Sequence, residues 1–219
     1  MDIQFWRGRW QRGEIGWHQA EINPHLQEHW PRVQAPAGVQ VFVPLCGKSL
    51  DLLWLAGQGY RVLGVEISAL AVAAFFEDNG LQPTRTREGH FERWRHGEIE
   101  ILVGDFFALE PDHLKDVGAV FDRASLVALP PDMRARYADH LHQVLPGAVP
   151  TLLITLEYDQ AQMHGPPFAV HEDEVRALYG PRYRVEAIAR HDVLAEEARF
   201  RQRGLSRLEE KAYRLGPKA

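Results

Sequence analysis

Residues 39–49 (VQVFVPLCGKS), followed ten residues later by 60–68 (YRVLGVEIS), constrain the fold of this chain more than any other feature. The first is an apolar run rich in β-branched residues, broken by Pro44 and Gly47, so it predicts a buried strand ending in a tight turn. The second is another apolar run, delivering Glu66 nineteen positions after Gly47. Between them, residues 50–56 have helical character. Strand, turn, helix and strand in so short a span imply parallel pairing with a right-handed crossover. A carboxylate at the tip of the second strand suits a nucleotide ligand: backbone approaches it at the first turn, and the acid accepts from two ribose hydroxyls.

The alternation continues. Residues 69–79 carry Leu70, Val72, Phe75 and Phe76 and are closed by Asn79 and Gly80, a helix with its C-cap. Residues 91–95 and 98–103 around His96-Gly97 read as a hairpin whose second strand enters the sheet. Residues 119–123 form a further apolar run ending in Asp122 and Arg123. Pro131 opens a helix with Tyr137, Leu141, Val144 and Leu145 on one face, and Pro146-Gly147 stops it. Residues 151–156 are again a buried strand. Then come a short helix at 172–178 and two candidate strands, 183–188 and 208–215, separated by a charged stretch. A parallel sheet closed by an antiparallel strand pair is the layout of a class I methyltransferase (Rossmann-like) α/β fold, a mostly parallel, seven-stranded-type sheet with helices on both faces. No linker divides the chain, so residues 1–219 are expected to form one domain, with 1–36 an N-terminal lid or helical extension.

Composition removes several functions. A formal net charge of −5, from 25 basic and 30 acidic residues, without long basic runs, argues against nucleic acid as a partner. No apolar run approaches the ~20 residues of a membrane span, and residues 1–6 do not read as a signal peptide. The single cysteine, Cys46, excludes an intrachain disulfide and points to a reducing, cytoplasmic setting. A monomer acting on a small molecule is expected.

The glycine turn admits three ligands. A P-loop needs a glycine five positions before Gly47, where Phe42 stands inside the strand, so Gly47-Lys48-Ser49 cannot wrap a phosphate and Lys48 reads as a solvated residue at a helix start. A dinucleotide fingerprint needs three glycines, and the turn has one. S-adenosylmethionine carries no phosphate; one glycine plus backbone groups suffices, with Glu66 on the ribose diol. Asp105 and Phe106 end another predicted strand, where they could meet an adenine edge and face, or could equally be a helix N-cap and a core ring. Arg123 ends a strand at the same sheet edge as Leu45, Glu66 and Asp105, which favours a site role over a surface pair with Asp122.

Together these segments resemble a thiopurine S-methyltransferase of the compact bacterial kind, over nearly the whole chain. The matching pieces are 5–10 (FWRGRW) with 16–19 (GWHQ), then 44–48 (PLCGK), 64–68 (GVEIS), 122–129 (DRASLVAL), 165–168 (GPPF) and 209–213 (EEKAY). The resemblance implies transfer of a methyl group from S-adenosylmethionine to a thiol or thione sulfur. It further implies cofactor contacts from Trp6, Trp10, Leu45, Glu66, Asp105, Phe106 and Arg123, with Gly47 in the turn. Trp17 aligns with an aromatic lining the substrate side, and Arg199 with an arginine near the substrate. Selenium or tellurium species are alternative acceptors, and a cofactor-binding homologue without turnover is a third reading.

Trp6, Trp10 and Trp17 lie among Gly8, Gly13 and Gly16, too glycine-rich a stretch for a stable helix throughout. Such a segment could cap the core, but it also has the makings of a lid that folds over a ligand and excludes water. Displacement at an already activated sulfonium by a thiolate needs alignment more than a base, so no catalytic base is assigned; Arg123 and Arg199 are expected to orient the acceptor. No metal site is expected. His140 and His142, two apart on a helix, face different ways, and no His-Glu-x-x-His occurs.

Overall fold

The structure is a computed structural model describing residues 3–218. Two helices precede the sheet. The first, α1 (Ile3–Gln11), buries none of its residues and rests against a later helix. It continues through Gly8 but ends before Gly13, so the stretch from Trp6 to Trp17 is not helical throughout, as its glycine content predicts. Ring contacts supply what propensity does not: Phe5 meets Trp6 edge-on, and Trp6 and Trp10 each meet Trp17 at 5.3 and 5.9 Å between centroids. The second, α2 (Pro24–Val33), has a full N-terminal signature. Asn23 caps it, accepting from the Leu26 N–H at 3.3 Å, and Pro24 occupies the first turn.

The opening motif folds as read. β1 (Gln40–Val43) is buried throughout, α3 (Asp51–Gly57) crosses over, and β2 (Arg61–Glu66) pairs in parallel with β1, Val43 opposite Gly64. α4 (Ala69–Asp78) is capped by the Ser68 hydroxyl. Three strands follow: β3 (Thr84–Glu88), β4 (Phe91–His96) and β5 (Ile99–Val103). The expected hairpin is β4–β5. β3 was not expected, because Thr-Arg-Thr-Arg-Glu is exposed at every position and shows no apolar alternation. It is an edge strand defined by its partner, with the Arg85 guanidinium 3.5 Å from the centre of the Trp94 ring.

β6 (Val117–Arg123), α5 (Pro131–Val144), β7 (Thr151–Glu157), α6 (Glu172–Tyr179), β8 (Tyr183–Asp192), α7 (Ala198–Gln202) and β9 (Glu209–Pro217) complete the chain. All nine strands form one sheet in the order β3-β4-β5-β2-β1-β6-β7-β9-β8. The run from β5 to β7 is parallel, and β9 inserts antiparallel between β7 and β8. The expected seven-stranded arrangement is therefore present, extended at one edge by β3 and β4. Strand order reverses at β1, whose neighbours are β2 on one side and β6 on the other. That switch point opens a crevice at the carboxyl ends of the strands.

Alternation along β1 feeds two cores. Val41 and Val43 pack with Trp30, Leu52 and Phe75 on the face covered by α2, α3 and α4. Phe42 points oppositely, toward Leu63, Tyr137 and Leu141. Truncating the fully buried Phe42 to alanine would cost ~3–5 kcal/mol. Among the described residues no helix is long and apolar enough to cross a membrane.

Candidate functional site

The backbone at the carboxyl ends of β1 and β6 is strained. Leu45 (φ 47°) and Ala124 (φ 66°) both occupy the left-handed region that non-glycine residues avoid. The two loops are tied by the Ser125 hydroxyl, which donates to the Pro44 carbonyl at 3.1 Å. Around them lies a cavity of about 590 Å³ bounded by Leu45, Glu66 and Arg123 from the sheet edge, by Trp6, Trp10 and Trp17 from the N-terminal segment, and by Arg199 from α7. The expected lid segment thus forms a wall of the cavity.

Glu66 is 5% exposed and fixed at both oxygens. The Gly47 N–H donates to Oε2 and the Ser68 N–H to Oε1, each at 2.9 Å. Burial pushes this carboxyl up to about 7, against the opposing pull of those backbone donors. Each oxygen keeps a lone pair for a further donor from the cavity. Gly47 is required twice over. Its φ is +55°, and a Cβ there would stand 3.2 Å from the Trp10 indole. Beneath the turn Cys46 packs against Gly64, and burial raises its thiol well above the ordinary range, so it is a packing group and not a nucleophile.

Asp122 and Arg123 separate, as adjacent strand residues must. Asp122 enters the core, accepts from the Tyr137 hydroxyl at 2.8 Å, and is raised by burial to about 6. Arg123 enters the cavity. Among the described residues no carboxylate lies within ion-pair distance of it, and its Nη2 donates to the Trp17 carbonyl at 3.3 Å. Burial lowers its pKa from the usual arginine value. Arg199 lies across the opening, its guanidinium 3.2 Å from where a Cβ on Gly16 would stand, paired with Glu197 at 2.9 Å. Both guanidinium groups line the cavity.

Two expected positions lie elsewhere. Asp105 caps the 3₁₀ turn Phe106–Ala108, accepting from the Phe107 N–H at 3.0 Å. Phe106 is buried and stacks on Tyr137 with centroids 4.7 Å apart. Neither lines the cavity; locally they are the N-cap and core ring that the sequence equally allowed. The adjoining backbone does reach the site, since the Gly104 N–H donates to the Glu66 carbonyl at 2.9 Å. Lys48 is not free in solvent but pairs with Asp78 at 2.8 Å.

Sequence reading passed over Thr155 and Arg9. Thr155 is buried at the cavity wall, its hydroxyl beside that of Tyr213. Arg9 lines the same space, 5.4 Å from the Trp17 ring, with its Nε 3.7 Å from the Glu14 carboxylate. The spacing of Trp6, Arg9 and Trp10 on one helix face was a legible signal; Thr155, at the end of an apolar strand, gave none. As expected, His140 and His142 diverge: His140 Nε2 faces the Phe106 carbonyl at 3.0 Å, and His142 packs against Tyr179 and Tyr183. The sequence reading did not consider His25 and His29, four apart on α2.

The chain as a whole is similar to known proteins. A family model described as thiopurine S-methyltransferase matches residues 1–218. The thiopurine S-methyltransferase of Nitrosospira multiformis is 54% identical over 215 residues, 98% of each chain. That of Azotobacter vinelandii is 52% identical over 98% of this chain and 99% of its own. In fold, the chain is similar to the Burkholderia thailandensis 1,6-didemethyltoxoflavin-N1-methyltransferase with bound 1,6-didemethyltoxoflavin and S-adenosylhomocysteine. That likeness has a TM-score of 0.63 at 14% identity, covering 98% of this chain and 87% of the other. With sequence agreement of this extent, and the sheet order of a class I methyltransferase, the chain belongs to the thiopurine S-methyltransferase family.

Proposed function

We propose that the cavity at the switch point holds S-adenosylmethionine against Glu66 and aligns a heterocyclic or aromatic thiol, of the thiopurine class, beside Arg123 and Arg199. The observation that carries this reading is Glu66, buried, held at both oxygens by backbone N–H groups and open to two more donors. A vicinal diol presents two such donors. About 590 Å³ admits a nucleoside with a small acceptor.

When bound, the cofactor supplies an activated methyl group on a cationic sulfur. The residues of this chain supply position, charge and dryness. Leu45, Gly47 and Trp10 shape the turn against which the nucleoside would lie, with the Gly104–Phe106 backbone beyond Glu66. Trp6 and Trp17 cover the cavity and exclude water. Arg123 and Arg199 favour the thiolate form of the acceptor and orient it by charge-assisted hydrogen bonds. Alignment of this kind can contribute ~7–11 kcal/mol to a displacement.

The decisive experiment pairs calorimetry with S-adenosylhomocysteine and a radiolabelled methyl-transfer assay on an aryl thiol. Glu66→Ala is expected to weaken binding roughly 100-fold, the loss of two hydrogen bonds to a charged acceptor. Wild-type affinity in that variant would remove Glu66 from the site. Tight binding without turnover across a panel of thiols would leave a cofactor-binding homologue. Adding reduced selenium and tellurium species to the panel ranks other polarizable anions against thiopurines.

A further inference from the structure

His25 and His29, four residues apart on α2, present their imidazoles on one face of the helix. β8 brings His191 to the same place. The His25 and His29 rings stack with centroids 5.6 Å apart, and His25 lies 5.2 Å from His191. One ring nitrogen from each of the three falls within 4.8 Å of the others. Glu210 on β9 closes the group, its Oε2 3.1 Å from His25 Nε2. Three imidazoles and one carboxylate, contributed by three elements, are gathered at one place.

We propose that His25, His29, His191 and Glu210 bind one divalent transition-metal ion of the zinc class, fastening α2 to the β8–β9 pair beside the cavity. The second observation is His29 itself. It is 4% exposed, and its Nε2 is buried without a hydrogen-bond partner. A buried acceptor or donor left unmade costs ~1–3 kcal/mol, and a metal ion relieves that cost for an imidazole nitrogen. The other ring nitrogen, Nδ1, lies 3.8 Å from the exposed Glu28 carboxylate.

The donor set selects the ion. Imidazole nitrogens with one carboxylate suit zinc, nickel or copper, whereas calcium and magnesium take oxygen ligands. Two atoms bound to one tetrahedral zinc at ~2.0–2.1 Å stand about 3.3 Å apart. The His25–Glu210 distance of 3.1 Å is already near that value. Closing the rest takes side-chain rotation, for which the exposed His191 has room. Four protein ligands leave no open position, so the ion is structural and takes no part in methyl transfer. Because His25, His191 and Glu210 also line the cavity, the ion stiffens its wall.

The test uses tag-free protein stripped with a chelator and titrated with zinc by calorimetry and with cobalt by visible absorption. One equivalent per chain is expected, with the intense visible bands of tetrahedral cobalt. Zinc at a hundredfold excess over its dissociation constant should raise the melting temperature by roughly 5–10 °C. His191→Ala, at an exposed position that the fold tolerates, should weaken affinity about 100-fold or more and remove that gain; His29→Gln should abolish uptake. Failure of the wild type to take up a stoichiometric ion, or uptake and melting gain unchanged in His191→Ala, overturns the proposal.

Discussion

The Gly47 N–H donates to Oε2 of Glu66 at 2.9 Å, so the turn after β1 is locked to the acid at the end of β2 before any ligand arrives. The carboxylate is preoriented, but burial has raised it to about 7. In the empty cavity the protonated form is favoured below that pH, and ionisation erodes the stability of the fold as pH climbs from about 4.5 to 7. A diol that donates two hydrogen bonds favours the ionised form. Affinity for S-adenosylhomocysteine should therefore strengthen as pH rises through 7 and level off above it, falling about tenfold per unit well below. Calorimetry across pH 5.5–8.5 checks this; a flat profile would show that Glu66 ionisation is not coupled to the ligand.

Gly47→Ala places a side chain where φ is +55° and where the Trp10 ring already stands 3.2 Å away. Loss of ~1–2 kcal/mol of stability is expected from the backbone alone. Displacement of Trp10 should also weaken cofactor binding. Thermal denaturation read beside calorimetry separates the two effects, and Trp10→Ala in the same background should relieve only the steric part.

Asp122 gives a pH signature of its own. Its carboxyl is raised from 3.8 to about 6 by burial, so its contribution to stability is fully present below about 4 and is lost as pH rises through 6. Above that pH the wild type carries a burden of roughly 3 kcal/mol. Asp122→Asn keeps an acceptor for the Tyr137 hydroxyl without the charge. Its melting temperature relative to wild type should rise steadily between pH 4 and 7.

Arg123→Ala removes a half-buried cation that lines the cavity. We expect KM for ionisable thiols to rise and kcat/KM to fall about 100-fold, the worth of one charge-assisted hydrogen bond. The pH–rate profile should shift to higher pH, because the bound thiol loses the charge that favoured its thiolate. Arg123→Lys should recover the profile in part but not the full rate, since an ammonium lacks the planar fork. An unshifted profile in Arg123→Ala would assign acceptor activation to Arg199 instead.

The strand, turn and strand carrying Gly47 and Glu66 were legible because local sequence specifies them: apolar runs for a parallel sheet, one glycine at a left-handed position, one acid at a strand tip. The antiparallel closure by β9 followed from the change of rhythm late in the chain. β3 was not legible, since an exposed edge strand takes its conformation from β4 and not from its own side chains. The end of α1 before Gly13 was legible from the glycines, but the contacts of Trp6 and Trp10 with Trp17, outside the helix, were not. Asp105 and Phe106 satisfied two local readings at once, and only the position of Tyr137, far along the chain, separates them. The histidine cluster shows the same limit: the spacing of His25 and His29 was visible, but β8 alone brings His191 to them.

Arg123 is anchored in the resting protein to a main-chain oxygen of the tryptophan segment, not to a carboxylate. A neutral carbonyl is a weak placeholder for a guanidinium, and an incoming anion outcompetes it. On the acceptor placement we propose, an arriving thiolate would take the guanidinium from the residue-17 carbonyl, and loss of its charge on methylation would hand that group back, so turnover itself resets the contact.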